Sequence, residues 1–169
     1  MPTLGKNVEY ALHTLVYFVG NPPNTTINIK ALSKFQNISE SYLAKTFTKL
    51  KKSGLLRSNL GTKGGYSLAR EAKDITFLDV VLAVEGELSF FECNGVREGC
   101  ILLAGIEKPW EKNELCTIHK AMLEIEDEIK KKLSSKTLLW LYDSINKQSN
   151  KDFIKSARHW FQNNTFSDF

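Results

Sequence analysis

Three thiols and an imidazole stand close together in this chain: Cys93 and Cys100 in FFECNGVREGC, Cys116 in ELCTIHKAM, and His119 one helical turn beyond Cys116. Three is an odd number and too few for a disulfide framework, so the clustered thiols suit metal ligation or redox sensing. Thiolates are good ligands for iron-sulfur iron, and a cluster needs a fourth donor, for which His119 is a local candidate. Three cysteines and a histidine also make a common tetrahedral zinc set. The spacing is irregular, with six residues between Cys93 and Cys100, fifteen between Cys100 and Cys116, and no C-x2-C knuckle. A third chemistry needs no metal, namely a reversible disulfide between Cys93 and either Cys100 or Cys116. Away from this stretch, Glu9 and His13 stand at i and i+4 in NVEYALH, project from one helix face and could chelate one metal ion.

Charge points to a second kind of chemistry. Residues 1–70 carry eight lysines and two arginines against Glu9 and Glu40, a net +8, whereas residues 71–169 carry thirteen basic and seventeen acidic side chains, a net −4. A basic front half implies an anionic partner, and nucleic acid is the usual one. No P-loop, G-x-S-x-G or paired-carboxylate setting is present, so neither an enzyme nor a small organic substrate is expected. The amino-terminal stretch lacks the segments of a secretion signal and no apolar run is long enough for a membrane span; a cytoplasmic protein without a membrane partner is expected.

The elements that must position these residues follow from periodicity. Val8, Ala11, Leu12, Leu15 and Val19 have helical spacing up to GNPPN. Asn28 is a cap for a second helix carrying Ile29, Leu32 and Phe35 inward, and Ser39 a cap for a third that buries Leu43, Phe47 and Leu50 and stops at Gly54. The period then changes to two, with Leu56 and Leu60 flanking polar residues, and GTKGG followed by YSLAR completes a hairpin. This order predicts a mainly α fold with a small β-hairpin wing, a winged helix-turn-helix over 1–72. A short buried connecting helix is expected within 73–90, a cysteine-bearing loop over 91–116, and helices over 117–145. In the first of these, Ile118, Ala121, Met122, Ile125, Ile129 and Leu133 form a narrow seam like that of a coiled coil, which predicts a dimerisation helix. Glu126, Asp127 and Glu128 precede Lys130, Lys131 and Lys132 by four residues, favourable pairs on a helix surface. Residues 146–169 form an amphipathic extension with Phe153, Trp160 and Phe161.

With Leu43, Phe47 and Leu50 buried, the third helix presents Ser41, Lys45, Thr48 and Lys52, with Tyr42 and Lys49 alongside. Lysines reach phosphates, and hydroxyls near the amino end reach base edges in the major groove. Lys63 at the wing tip and Arg57 nearby would meet the flanking backbone, while Gly61, Gly64 and Gly65 allow close approach.

The stretch ISESYLAKTFTKLKKSGLLRSNLGTKGGYSLAR, followed by ITFLDVVLAVEG, resembles the IscR/NsrR family of bacterial regulators over residues 5–145. The resemblance implies a homodimer on a dyad-symmetric double-stranded DNA operator, with repression the expected sense. It further implies an iron-sulfur cluster held by loop cysteines and a response to iron, redox state or nitric oxide. One branch of the family places an acidic residue and a histidine from the first helix of one subunit, with two cysteines of the other, on a 2Fe-2S cluster. Carried over, Glu9 and His13 match that pair, Cys116 matches the last cysteine, Cys100 stands for the middle one although it lies early, and Cys93 is a spare thiol. His119 remains the alternative ligand. A zinc-stabilised protein and a cluster-free thiol switch remain the alternatives.

Overall fold

The computed structural model describes residues 4–21, 25–61, 64–107, 110, 114–148 and 152–164. Helix α1 (Lys6–Leu15) tightens at its end into a 3-10 turn, Val16–Phe18. Helix α2 (Ile29–Gln36) begins where the Asn28 side chain accepts the Ala31 N–H at 2.7 Å, the N-cap expected at that position. Helix α3 (Glu40–Lys52) starts after Ser39, whose hydroxyl makes no cap bond and pairs instead with the Ser41 hydroxyl at 2.9 Å. Gly54, with φ 73°, ends α3 and turns the chain into the wing.

The wing is a two-stranded antiparallel hairpin of β1 (Leu56–Asn59) and β2 (Gly65–Leu68), with Leu56 opposite Leu68 and Asn59 opposite Gly65. The segment before α2 adds a rung to it, because Ile27 and Tyr66 exchange both backbone hydrogen bonds at 3.0 and 2.9 Å. That rung requires glycine at position 65: a Cβ there would lie 2.9 Å from the Ile27 carbonyl oxygen. Leu56 points into the core, but Leu60, expected to repeat its direction, is 98% exposed, since the strand ends at Asn59 and the chain has turned into the tip.

Helix α4 (Phe77–Glu85) opens with a capping box that sequence reading missed. The Thr76 hydroxyl accepts the Asp79 N–H at 3.0 Å and the Asp79 carboxylate accepts the Thr76 N–H at 2.8 Å. Its Val80, Val81 and Val84 share one buried cluster with Val8, Ala11 and Leu15 of α1 and Leu43, Phe47 and Leu50 of α3. Helix α4 therefore helps complete the core of the winged domain.

Beyond the loop lie α5 (Thr117–Ser134), α6 (Leu138–Gln148) and α7 (Asp152–Asn164). No residue of α5 is buried in the single chain. Ile129 and Leu133 touch the core, whereas Ile118 and Ile125 farther up the same seam are 68% and 51% exposed. Two of the three expected ion pairs form, Glu126 with Lys130 at 2.6 Å and Asp127 with Lys131 at 2.7 Å; Glu128 meets Lys131 at 3.2 Å rather than Lys132, because Lys131 serves both acids. The start of α6 is tied to the winged domain: the Leu138 N–H donates to the Ile75 carbonyl at 2.9 Å, the Phe77 N–H to the Lys136 carbonyl at 2.8 Å, and the Leu138 side chain is fully buried.

Helix α7 folds back onto the winged domain. Ile154, Ala157 and Phe161 are buried, and Phe161 lies 4.7 Å from Phe35 and 5.4 Å from Tyr17, ring centre to ring centre, with Trp160 5.0 Å from Phe35. The Arg158 guanidinium donates to the Tyr142 hydroxyl at 3.0 Å, joining α7 to α6. Phe153, on the same helix, is half-exposed.

Candidate nucleic-acid interface and cysteine loop

Burial of Leu43, Thr46, Phe47 and Leu50 fixes the rotation of α3, and Ser41, Lys45, Thr48 and Lys52 stand exposed on its outer side. Thr48 returns its hydroxyl hydrogen bond to the Ala44 carbonyl at 2.8 Å, which leaves the oxygen free to accept from a base or a phosphate-bound water. Tyr42 packs edge-on against Tyr10 at 5.3 Å; burial first, then the charges of Tyr10 and Glu85, hold its phenol above the ordinary range, so it remains a neutral donor. Lys49 is exposed, and its ammonium donates to the Val84 carbonyl at 2.5 Å, in the last turn of α4.

Arg57 sits one rung from the root of the wing, where its Nε donates to the Ser67 hydroxyl at 2.9 Å, and it lies away from the tip. Lys63 lies outside the described residues, while Gly64 belongs to the tip, where its N–H donates to the Gly61 carbonyl at 2.8 Å. The recognition helix and the wing are locked together through aromatic contacts: Phe47 meets Tyr66 at 5.0 Å, nearly perpendicular, and Phe18 at 6.1 Å.

The cysteine loop is held to α5 at its start and closed on itself near its end. At its start the Phe90 N–H donates to Glu126 at 3.1 Å; the Lys130 ammonium first, and then this N–H, hold the Glu126 carboxyl below its ordinary range. At its end Arg97 donates to the Glu114 carbonyl at 2.6 Å and stacks 4.1 Å from the Trp110 ring centre. Arg97 was not among the residues expected to matter, because nothing in the linear sequence relates it to position 114. Cys116 is the N-cap of α5, its sulfur accepting the His119 N–H at 3.4 Å, so these two residues meet through sulfur and backbone. The His119 ring lies 5.6 Å from Phe91.

A cavity of about 640 Å³ is walled by Phe91, Cys93, Val96, Leu115, Cys116 and His119. Cys93 and Cys116 thus share a wall, and Cys100 lies outside it, exposed. Glu9 and His13 are exposed together on the side of α1 opposite Val8, Ala11 and Leu15. Among the described residues no three His, Cys, Asp or Glu side chains gather closely enough to hold a metal ion. The described residues of one chain therefore assemble no ligand set for an iron-sulfur or zinc centre.

Three helices, a basic third helix and an aromatically braced hairpin define a winged helix-turn-helix DNA-binding protein. The family model for Rrf2, described as iron-dependent transcriptional regulators, matches residues 4–144. The chain belongs to the Rrf2 family, a family of transcriptional regulators and not of enzymes. It is 34% identical over 151 residues to YffB of Lactococcus lactis, described as an HTH-type transcriptional regulator, covering 89% of this chain and 94% of that one. It is 30% identical to IscR of Photorhabdus laumondii over 77% of this chain and 73% of that protein. The solved structure of CymR, the global cysteine regulator of Bacillus subtilis, superposes with a TM-score of 0.60 at 26% identity, over 85% of this chain and 96% of that one. All of α7 lies beyond the family match. Among the described residues no helix is long and apolar enough to cross a membrane.

Proposed function

We propose that the chain works in the cytoplasm as a homodimeric repressor of transcription on a dyad-symmetric operator, with the cysteine loop as its sensing element. The observation that carries the dimer is α5, whose seam has no cover in one chain around Ile118 and Ile125. Pairing two such helices sets two copies of α3 apart by a fixed distance, and a dyad operator presents matching half-sites one helical turn apart. Gel-shift and sedimentation measurements test this directly. Lys45→Ala is expected to weaken DNA binding and to flatten the dependence of log affinity on log salt by about one unit, as loss of one phosphate contact requires. An unchanged slope removes Lys45 from the interface.

The loop thiols supply the signal. Because the described residues of one chain gather no ligand set, the 2Fe-2S cluster of this reading is held between chains, by Glu9 and His13 of one and Cys100 and Cys116 of the other. Two facts support this reading: Glu9 and His13 are exposed on one face of α1, and Cys100 is exposed in the loop. When bound, such a cluster supplies a redox-active and nitric-oxide-reactive group at the seam between the two DNA-reading domains. Anaerobically purified protein is then expected to be coloured, and Glu9→Ala or His13→Ala to change its visible spectrum and redox potential. Survival of both properties in both variants overturns the cross-subunit set and moves the fourth ligand to His119. Colourless protein with stoichiometric zinc would indicate the structural alternative.

A second reading is favoured by the wall that Cys93 and Cys116 share. In it the loop is a cluster-free thiol switch, in which two thiols lose two electrons and two protons to a peroxide and close a disulfide. Mass spectrometry of peroxide-treated metal-free protein distinguishes it, through a Cys93–Cys116 crosslinked peptide that dithiothreitol removes.

A further inference from the structure

We infer that α7 is a brace that holds each winged domain at one angle to the dimerisation helices, and that it makes the protein selective for the spacing between half-sites; this rests on the dimeric DNA-binding reading above. Helix α5 meets the winged domain along α4. The start of α6 is fastened beside it, at the start of α4, by the backbone bonds from Leu138 to Ile75 and from Phe77 to Lys136. A body fastened along one edge can still swing about that edge, as a hinged domain does. A second fastening off the edge removes the swing.

Helix α7 makes that second fastening, on elements remote in sequence from the first. Phe161 is buried against Phe35, in the last turn of α2, at 4.7 Å and against Tyr17, in the 3-10 turn after α1, at 5.4 Å. Trp160 covers Phe35 at 5.0 Å. Tyr17 and Phe35 pack on the cluster that holds Leu43, Phe47 and Leu50, so whatever grips them also grips the recognition helix. One turn earlier in α7, the Arg158 guanidinium donates to the Tyr142 hydroxyl at 3.0 Å, and Tyr142 lies on α6 one turn beyond Leu138. Gly20 closes the junction: a Cβ there would lie 2.8 Å from the Arg158 guanidinium and 3.0 Å from the Tyr142 hydroxyl. The winged domain, α6 and α7 therefore meet at one point, away from the edge along α4. One base pair added between half-sites moves the second by about 3.4 Å and turns it by about 35°. Hinged domains follow that change freely, whereas braced ones follow it only by straining the DNA, which costs affinity.

The test uses the full-length dimer and a dyad duplex that the wild-type protein enriches from a random-sequence pool. The same duplex is also made with one base pair more or one fewer between its half-sites. Wild-type protein is expected to bind the two altered duplexes about ten-fold more weakly. Phe161→Ala removes the ring lodged against Tyr17 and Phe35. It is expected to raise affinity for the altered duplexes about three-fold, while affinity for the enriched duplex stays level or falls. A variant that merely loses folded protein binds all three duplexes less, so a rise is something instability does not produce. Where Phe161→Ala does not fold, Tyr142→Phe, which keeps the ring and removes only the hydroxyl that Arg158 reaches, decides by the same ratio. A wild-type dimer that binds all three duplexes alike overturns the brace, and so does a folded variant that keeps the wild-type ratio. If the enriched sites show no dyad, or sedimentation shows a monomer, the dimeric reading fails instead, an outcome distinct from a dimer whose spacing preference survives the substitution.

Discussion

Replacing Phe47 by alanine is expected to lower the free energy of unfolding by about 3–5 kcal/mol, the usual range for emptying a buried aromatic position. Phe47 is fully buried, and its ring touches two elements besides its own: Tyr66 in the wing at 5.0 Å and Phe18 at the end of α1 at 6.1 Å. The lost volume sits where three elements meet, so none can close it without dragging a second. A fall of that size corresponds to a melting temperature lower by roughly 10 °C for a chain of this length. Urea titration provides the check, with the midpoint falling and the slope against denaturant held. Operator binding should fall as well, even under conditions where the variant is folded, because the wing then loses its register with α3. A loss below about 1 kcal/mol would mean that Phe47 does not occupy the centre of the core.

The second large effect concerns assembly. Ile125 is half-exposed in one chain, on a helix with no buried residue, and touches none of the interior that holds the winged domain. Ile125→Lys places a charge in the middle of the proposed seam. Sedimentation equilibrium is expected to show a monomer, and operator affinity to fall by about 100-fold or more, since two half-sites bound by separate chains forgo the effective concentration that linkage provides. Ile125→Val should preserve both properties. Circular dichroism separates the intended outcome from general unfolding: helical signal retained by a monomer supports the interface, and a dimer that persists with lysine at this position rejects it.

Much of the reading domain was legible in the residues themselves. Asn28 caps α2 as a short polar side chain before an apolar period should, and Leu43, Phe47 and Leu50 share a face because three and four residues make a helical turn. What failed to show were the interactions set by distant partners. The carbonyl that the end of α4 offers to Lys49 is one of these. Leu60 fits an alternating pattern that a four-residue strand is too short to continue. The role of Cys116 as a helix cap was hidden because its type suggested a ligand first. The cysteine loop was the least legible part. Its thiols are spaced irregularly along the chain, and no complete metal-ligand set forms among the described residues of one copy.

The aromatic contact between α7 and the winged domain bears on how the protein is made. Tyr17 and Phe35 are synthesised early, yet Trp160 and Phe161, which cover them, emerge from the ribosome only after the loop and both preceding helices. Until then the nascent DNA-reading half carries an uncovered greasy flank. That flank is therefore covered only once α7 has emerged, and a chain stopped before α7 leaves the ribosome with it open to other proteins.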